Sequence, residues 1–335
     1  MVHGAGDLRV EEVAGREPGP GEVLVRVAYG GVCGSDLHYF HDGAVGDFAV
    51  REPLVLGHEV VGRVSAGGLA VGTAVGIHPA TPCGACQECR SDRRNICASS
   101  NYLGSAAHYP HIQGGFVEEL IVPANQVRVL PAGLELRTAV LAEPLSVAIH
   151  AVRQAGDDAV AGKRVLVTGA GPIGLLVVAA LRKSGAAEIV VTDLHEAPLA
   201  LAAEVGATRT IRAGTQDPGD WAEVAIEASG TAGGLRTCLE RVRRGGTVVQ
   251  VGSLPGGDTA FPGSLLMTRE LRLVGAFRFD HEFDTAIAWL ADGLPVEPIV
   301  THVFPLAEAR KAFELAGDRT IASKVLLEIS GDTRS

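Results

Sequence analysis

Arg164-Val165-Leu166-Val167-Thr168-Gly169-Ala170-Gly171-Pro172-Ile173-Gly174 is the stretch that decides the fold. An apolar run reads as a strand, the glycines match G-x-G-x-x-G, and residues 173–184 read as a helix. Glycine-rich turns are common, so the motif alone is weak; the strand before it and the helix after it supply the context it needs. The first glycine makes a tight turn, the second lets the backbone approach a pyrophosphate, and the third allows close helix–strand packing. The helix N-terminus then favours phosphate charge. A dinucleotide site is therefore expected at Gly169, Gly171, Pro172, Ile173 and Gly174. Asp193 closes the next apolar run about 20 residues on, where a carboxylate accepts hydrogen bonds from the adenosine ribose. An acid there repels a 2′-phosphate, which favours NAD over NADP. The alternative is a strand–turn–helix without cofactor, followed by an ordinary capping aspartate.

Working outward, strand candidates at 164–168, 188–192, 208–211, 223–226, 247–251 and 272–276 alternate with helical stretches such as 198–205. Apolar strands alternating with helices predict a parallel, doubly wound sheet. From about 278 the pattern changes to helices at 284–290 and 306–315 and a last strand at 324–329. Six strands complete the sheet, so this tail is expected to return to the first lobe. Toward the N-terminus, short strands at 8–10, 22–29, 60–64, 74–77 and 116–122 are punctuated by Gly and Pro, and residues 145–155 turn helical. The expectation is an α/β chain with a barrel-like, β-rich lobe at 1–146, a doubly wound domain at 147–277 and a return segment at 278–335.

Composition agrees. The 335 residues exceed one ordinary core, and 47% hydrophobic against 20% charged describes a globular chain. A net charge of −10 gives no reason to expect a nucleic-acid partner. No run approaches the ~18 apolar residues of a membrane span. No secretory signal is visible at the N-terminus, so a cytoplasmic setting with reduced thiols is expected. The six cysteines are then candidate metal ligands before they are candidate disulfides.

Cys83, Cys86, Cys89 and Cys97 form C-x2-C-x2-C-x7-C. Four thiolates in one loop suit a closed, tetrahedral structural zinc. A redox dithiol needs only two cysteines, and the spacing differs from ferredoxin runs. Cys238, within a helical stretch, reads as a small buried hydrophobe. Elsewhere, Gly31-Val32-Cys33-Gly34-Ser35-Asp36-Leu37-His38 and Gly57-His58-Glu59 place a cysteine, a histidine and a glutamate beside sharp turns. These ligand types bind zinc tightly while leaving a position for substrate. Gly62 stands where H-E-x-x-H needs its second histidine, which excludes the metalloprotease reading.

Taken together, the two motifs, the cysteine lobe, Gly114-Gly115-Phe116 and the dinucleotide fingerprint resemble the zinc-dependent medium-chain dehydrogenases over nearly the whole length. His38-Tyr39, Gly46-Asp47-Phe48, residues 53–59 and Ala142-Glu143-Pro144-Leu145-Ser146-Val147 resemble the sorbitol dehydrogenase branch. Tyr109-Pro110-His111, residues 148–151, and residues 275–279 with Glu282-Phe283 are most similar to the L-idonate 5-dehydrogenases within it. The resemblance implies a GroES-like catalytic domain with a Rossmann domain, and one catalytic and one structural zinc per chain. It implies oxidation of a secondary alcohol of a sugar acid, with idonate giving 5-keto-gluconate. The alternatives are a sorbitol or xylitol substrate, or threonine.

By the same resemblance, Cys33 and His58 ligate the catalytic zinc, Glu59 is a third ligand or lies close behind, and Glu143 reaches the metal directly or through water. Ser35, which by itself reads as a helix N-cap, accepts the substrate proton, and His38 passes it on through the nicotinamide ribose. Tyr39 and Arg278 line the substrate pocket; Val251, Gly252, Ser253, Phe277 and Arg278 border the nicotinamide. A sugar acid needs a cation, with Arg278 the first candidate and His111 the second. The branch often carries an arginine five residues after the ribose aspartate, where this chain has Pro198. The family suggests a homotetramer or homodimer joined through sheet edges. A catalytically silent cofactor-binding protein would be marked by loss of Cys33, His58 or Glu59, and all three are present.

Overall fold

The fold is taken from a computed structural model, which describes all residues except 157, 218, 220, 221 and 332–335. Its first lobe is built on β1 (Glu22–Gly31), α1 (Gly34–Asp42), β2 (Glu59–Gly67) and β3 (Ala74–Ile77). A short hairpin of β4 (Ala80–Thr81) and β5 (Asn101–Tyr102) brackets the cysteine loop, and β6 (Glu119–Pro123) and β7 (Val127–Val129) complete the N-terminal strands. Helix α2 (Ala142–Gln154) runs across the expected boundary at 146 without a break, carrying Glu143 at one end and His150 toward the other.

The doubly wound sheet consists of β8 (Arg164–Thr168), β9 (Glu188–Asp193), β10 (Arg209–Arg212), β11 (Ala222–Glu227), β12 (Val242–Gln250) and β13 (Arg272–Gly275). All neighbours are parallel, in the order β10-β9-β8-β11-β12-β13. The order reverses beside β8, which opens a ligand crevice at its carboxyl end. Helix α3 (Pro172–Lys183) follows β8 and buries every residue from Gly174 to Leu181, as its continuous apolar run requires. Helix α4 (Glu196–Glu204) follows β9. Cys238 is buried in α5 (Ala232–Arg241).

The tail folds into α6 (Glu282–Ala291), β14 (Val300–Pro305), α7 (Ala309–Ala316) and β15 (Lys324–Glu328). Strand β15 pairs antiparallel with β1, and β14 runs parallel beside β15. The first sheet therefore reads β7-β3-β2-β1-β15-β14, with β6 also on β1. This order sets β2, β1 and β15 side by side, although they lie far apart in the chain.

Some boundaries moved. Val10 is exposed and outside any strand, because the N-terminal pairing ends at Leu8. The expected strand at 116–122 begins only at Glu119, and β12 starts five residues before the expected 247. The helix expected at 306–315 opens as a 3-10 turn, Leu306–Glu308.

Candidate active site

Strand register assembles the central cluster. Glu59 opens β2 opposite Gly31 at the end of β1, and Leu326 of β15 faces Gly31 from the other side. A Cβ on Gly31 would lie 2.1 Å from Glu59 Oε2, so only glycine lets that carboxylate fold against β1. Two residues on, Cys33 caps α1, and Asp36 accepts the Cys33 N–H at 2.9 Å. Ser35 is therefore inside the first turn of the helix, not its N-cap.

Cys33 Sγ, a His58 ring nitrogen and a Glu59 oxygen lie within 4.8 Å of one another. His58 and Glu59 are buried. Soft sulfur, imidazole and carboxylate at this separation fit a zinc ion with an open position. Buried Asp36 holds the cluster from behind: its Oδ1 is 3.8 Å from His58 Nδ1 and accepts the Gly57 N–H at 3.3 Å. Burial opposes a charge on His58, but Asp36 and Cys33 beside it raise its pKa well above the ordinary value. A metal taken up here thus competes with a proton.

Glu143 stands outside the 4.8 Å cluster but interacts electrostatically with it. Burial lifts its pKa to about 7, against the charges of His58 and Lys324. Its Oε1 accepts the Tyr102 hydroxyl at 2.7 Å, and the Arg278 guanidinium lies 4.1 Å from the Tyr102 ring centre. Arg278, at φ 54°, also lies 4.9 Å from the ring of Phe277, whose side is open to solvent. His38 is exposed, one turn after Ser35 on α1, and hydrogen-bonds Asp42 at 3.0 Å.

The structure places two expected pocket residues in the interior. The Tyr39 ring is buried in the core, and its hydroxyl accepts the Ala106 N–H at 3.0 Å. His111 is buried, with Nδ1 donating to the His108 carbonyl at 2.8 Å and Nε2 accepting the Arg51 N–H at 2.9 Å. With both nitrogens committed to backbone, the ring has no N–H left for a substrate carboxylate.

Sequence reading missed four residues. Asp36 had a detectable signal, an acid three residues past the cap position. Buried Lys324 had none: its Nζ donates to both oxygens of Glu59 at 2.8 Å and to the Val32 carbonyl at 3.1 Å. Burial alone would lower its pKa, but Glu59 and Cys33 raise it. Tyr102 and Glu227 also join the site only through the fold.

At the dinucleotide crevice, Gly171 caps α3 without a side-chain hydrogen bond, leaving the first N–H groups of the helix for a pyrophosphate. A Cβ on Gly174 would lie 2.0 Å from the Gly169 carbonyl oxygen, which explains the third glycine. Asp193 Oδ2 accepts the Ala170 N–H at 2.7 Å and Oδ1 the His195 N–H at 3.0 Å, fixing the carboxylate at the end of β9. Buried Glu227 ends β11: its backbone oxygen accepts the Val251 and Gly252 N–H groups, and its carboxylate accepts those of Ser229 and Gly230. It thereby shapes the loop carrying Val251, Gly252 and Ser253.

In the cysteine lobe, Cys83 Sγ is 3.6 Å from Cys97 Sγ and 4.0 Å from Cys89 Sγ. Those separations bracket the edge of about 3.8 Å that a tetrahedron with Zn–S arms of about 2.3 Å requires. Backbone N–H groups of Cys83, Cys86 and Cys89 each point at a sulfur at 3.4 Å. Donation from Ala85 and Cys86 lowers the Cys83 pKa to about 6, while burial and the neighbouring thiols push Cys89 up to about 12. The donor set fits a closed zinc.

Comparison with known proteins agrees with this geometry. Residues 19–132 match the alcohol dehydrogenase GroES-like domain, and residues 172–292 match the zinc-binding dehydrogenase domain. The chain is 41% identical over 315 residues to L-idonate 5-dehydrogenase (NAD(P)(+)) of Escherichia coli, covering 91% of each. It is 37% identical to sorbitol dehydrogenase of Bos taurus, covering 98% of this chain and 95% of that one. The crystal structure of the Escherichia coli L-idonate 5-dehydrogenase superposes with a TM-score of 0.93 at 39% identity, covering 98% and 96%. Fold, zinc-suited clusters and dinucleotide crevice converge on one conclusion: the chain belongs to the zinc-dependent medium-chain polyol dehydrogenases, oxidoreductases acting on CH–OH groups.

Proposed function

We propose that this dehydrogenase acts on the secondary alcohol of a sugar acid, interconverting L-idonate and 5-keto-D-gluconate, with NAD preferred over NADP. The observation that carries the substrate class is Arg278, a guanidinium stacked on Tyr102 beside the Glu143 carboxylate. A guanidinium fork grips a carboxylate through two parallel hydrogen bonds, which a neutral polyol does not offer. The 41% identical Escherichia coli relative supports the reading, and its name admits either nicotinamide cofactor. The carboxylate of Asp193, held at the end of β9, supports NAD.

Zinc held by Cys33, His58 and Glu59, with Glu143 close by, would polarise the alcohol oxygen as a Lewis acid, and a dinucleotide on the Gly169 loop would accept hydride. The protein's own groups do the rest. Arg278 binds and orients the substrate carboxylate. Ser35 takes the hydroxyl proton, and His38, exposed a turn further along α1, releases it to water. Asp36 keeps the His58 ring turned, as carboxylates behind ligating histidines do. Lys324 neutralises Glu59 through bonds to both its oxygens. Cys83, Cys86, Cys89 and Cys97 would hold a second, structural zinc in the same chain. None of the six cysteines forms a disulfide, which suits a reducing, cytoplasmic setting. Strand β13, an edge with Leu273 and nearby Met267 exposed, is the surface we assign to homo-oligomer assembly.

A second reading is a neutral polyol, favoured by the bovine sorbitol dehydrogenase at 98% coverage of this chain. Turnover on L-idonate, sorbitol, xylitol and L-threonine with each cofactor separates them. Idonate with NAD is expected to give the highest kcat/KM. Equal or better turnover of the neutral polyols would overturn the sugar-acid reading.

A further inference from the structure

The hydrogen bonds of the cysteine lobe do not stay within it. Asn95 sits in the short 3-10 turn Arg94–Ile96, between Cys89 and Cys97. Its amide donates to the Phe277 carbonyl at 2.9 Å and lies 3.3 Å from His150 Nε2. Next to it, Arg94 Nε donates to Asp280 Oδ2 at 2.7 Å and Nη2 lies 2.7 Å from His281 Nε2. The lobe thus grips both sides of Arg278.

The far side of the same segment is equally fixed. Phe279 is 2% exposed and stacks on Phe283 with ring centres 5.9 Å apart. The Asp280 N–H donates to Glu282, which His150 and Arg153 hold from α2. Between these anchors Arg278 is left-handed at φ 54°, a conformation that a residue with a Cβ keeps only when its surroundings over-determine it. The result is a guanidinium 4.1 Å from the ring of Tyr102, which belongs to the short strand that leaves the lobe after Cys97. Backbone and stacking partner of Arg278 are therefore both supplied through the cysteine lobe. A lobe that only bound its own metal needs neither bond, since its sulfurs are served by its own N–H groups.

We infer that the four-cysteine lobe is the positioning device for substrate recognition: Asn95 holds the Phe277 carbonyl so that the adjoining Arg278 guanidinium meets the substrate carboxylate. This rests on the reading of Arg278 as the carboxylate's partner. Asn95 is a positioning residue and touches no reacting group. Misplacement of a binding group by an ångström costs up to about 100-fold, so removing one of several anchors costs on the order of 10-fold.

The test uses zinc-loaded holoenzyme carrying Asn95→Ala or Asn95→Asp, the latter keeping the shape but losing the donor, beside Arg278→Ala and the double variant. Both Asn95 variants are expected to keep both zinc ions and raise KM for L-idonate about 10-fold. Their kcat, and their KM for sorbitol, should stay within about 2-fold. Calorimetric binding of D-gluconate in the presence of NADH should weaken by the same factor, and Asn95→Ala should add nothing in the Arg278→Ala background. An idonate KM unchanged by the Asn95 variants, or an equal loss on both substrates, overturns the inference while leaving the proposed function intact. An idonate preference that survives Arg278→Ala overturns the carboxylate reading itself, and the positioning role with it.

Discussion

The two clusters suited to zinc are built in opposite ways. The cysteine lobe takes its four donors from one loop between positions 83 and 97, with Cys83 exposed, Cys86 and Cys89 half-buried, Cys97 buried, and local N–H groups facing the sulfurs. The central cluster takes Cys33 from the cap of α1, His58 and Glu59 from the turn into β2, and its counter-charge, Lys324, from the last strand. One is a loop that closes on itself. The other is a buried set of charges that exists only when distant strands pair. A closed site needs four equal donors and nothing else; an open site must keep a position free, so its charges are balanced by protein groups outside the ligand set.

The sharpest way to break that comparison is to remove one thiol from each. Cys33→Ser is expected to lower kcat/KM on the order of 10,000-fold, about 5 kcal/mol of transition-state stabilisation, with the unfolding midpoint almost unchanged. Cys89→Ser should instead lose the lobe's zinc and lower the unfolding temperature while retaining turnover on sorbitol. Metal content, kinetics and thermal unfolding of the two variants decide it. Matching activity losses would mean that the division between chemical and structural clusters is wrong.

Next in size is the buried pair. Lys324 and Glu59 are 3% and 1% exposed at the side chain, and the ammonium uses its three donors on Glu59 and the Val32 carbonyl. Lys324→Met in metal-free protein leaves the buried Glu59 carboxylate without the ammonium that bonds both its oxygens, a loss of about 3–5 kcal/mol in urea unfolding. Lys324→Arg should recover part of it. A loss below about 1 kcal/mol for Lys324→Met would show that the Glu59 charge is compensated elsewhere.

What the chain revealed before folding follows the same division. The lobe, the glycine turn and Asp193 are short-range patterns whose chemistry depends on neighbours within a few residues, and the parallel sheet was legible because its inner strands carry apolar runs that alternate with helices. Lys324 looked like the first residue of an ordinary strand, because its role arises from β15 pairing with β1 across almost the whole chain. The burial of Tyr39 and His111 was hidden for a related reason. A polar aromatic near a site motif reads as functional, but only packing reveals that the Tyr39 ring fills the core and that backbone groups occupy both His111 nitrogens. Ser35 lost the cap position to Cys33 because Asp36, one residue further on, already bonds the cap N–H.

The contact between α6 and α2 carries its own pH signature. Burial works against a charge on Glu282, but His150 and the Asp280 N–H outweigh it and bring its pKa from 4.5 down to about 2. Because the folded pKa is depressed, the contribution is complete above pH 4.5 and fades as pH falls toward 2. The full shift corresponds to about 3 kcal/mol, reduced to about 2 kcal/mol because solvent reaches part of the surroundings. Glu282→Gln should therefore cost about 2 kcal/mol in urea unfolding at pH 7 and progressively less below pH 4.5. A penalty constant from pH 7 to pH 3 would show that packing, and not charge, is what Glu282 contributes.

The smallest effect is the most discriminating control. Arg93 and Glu88 form a close ion pair inside the cysteine lobe, with side chains 58% and 31% exposed. By distance alone it matches the buried pair at Lys324. Water, however, already solvates both partners, so joining them removes little desolvation cost and gains little Coulomb energy, while fixing two long side chains opposes it. Arg93→Ala is expected to cost less than about 0.5 kcal/mol in urea unfolding at low salt and nothing measurable at 0.5 M salt. A loss approaching that of Lys324→Met would mean that proximity sets the strength of an ion pair in this protein. A negligible loss beside a large one assigns it to burial, the property by which the central cluster differs from the lobe.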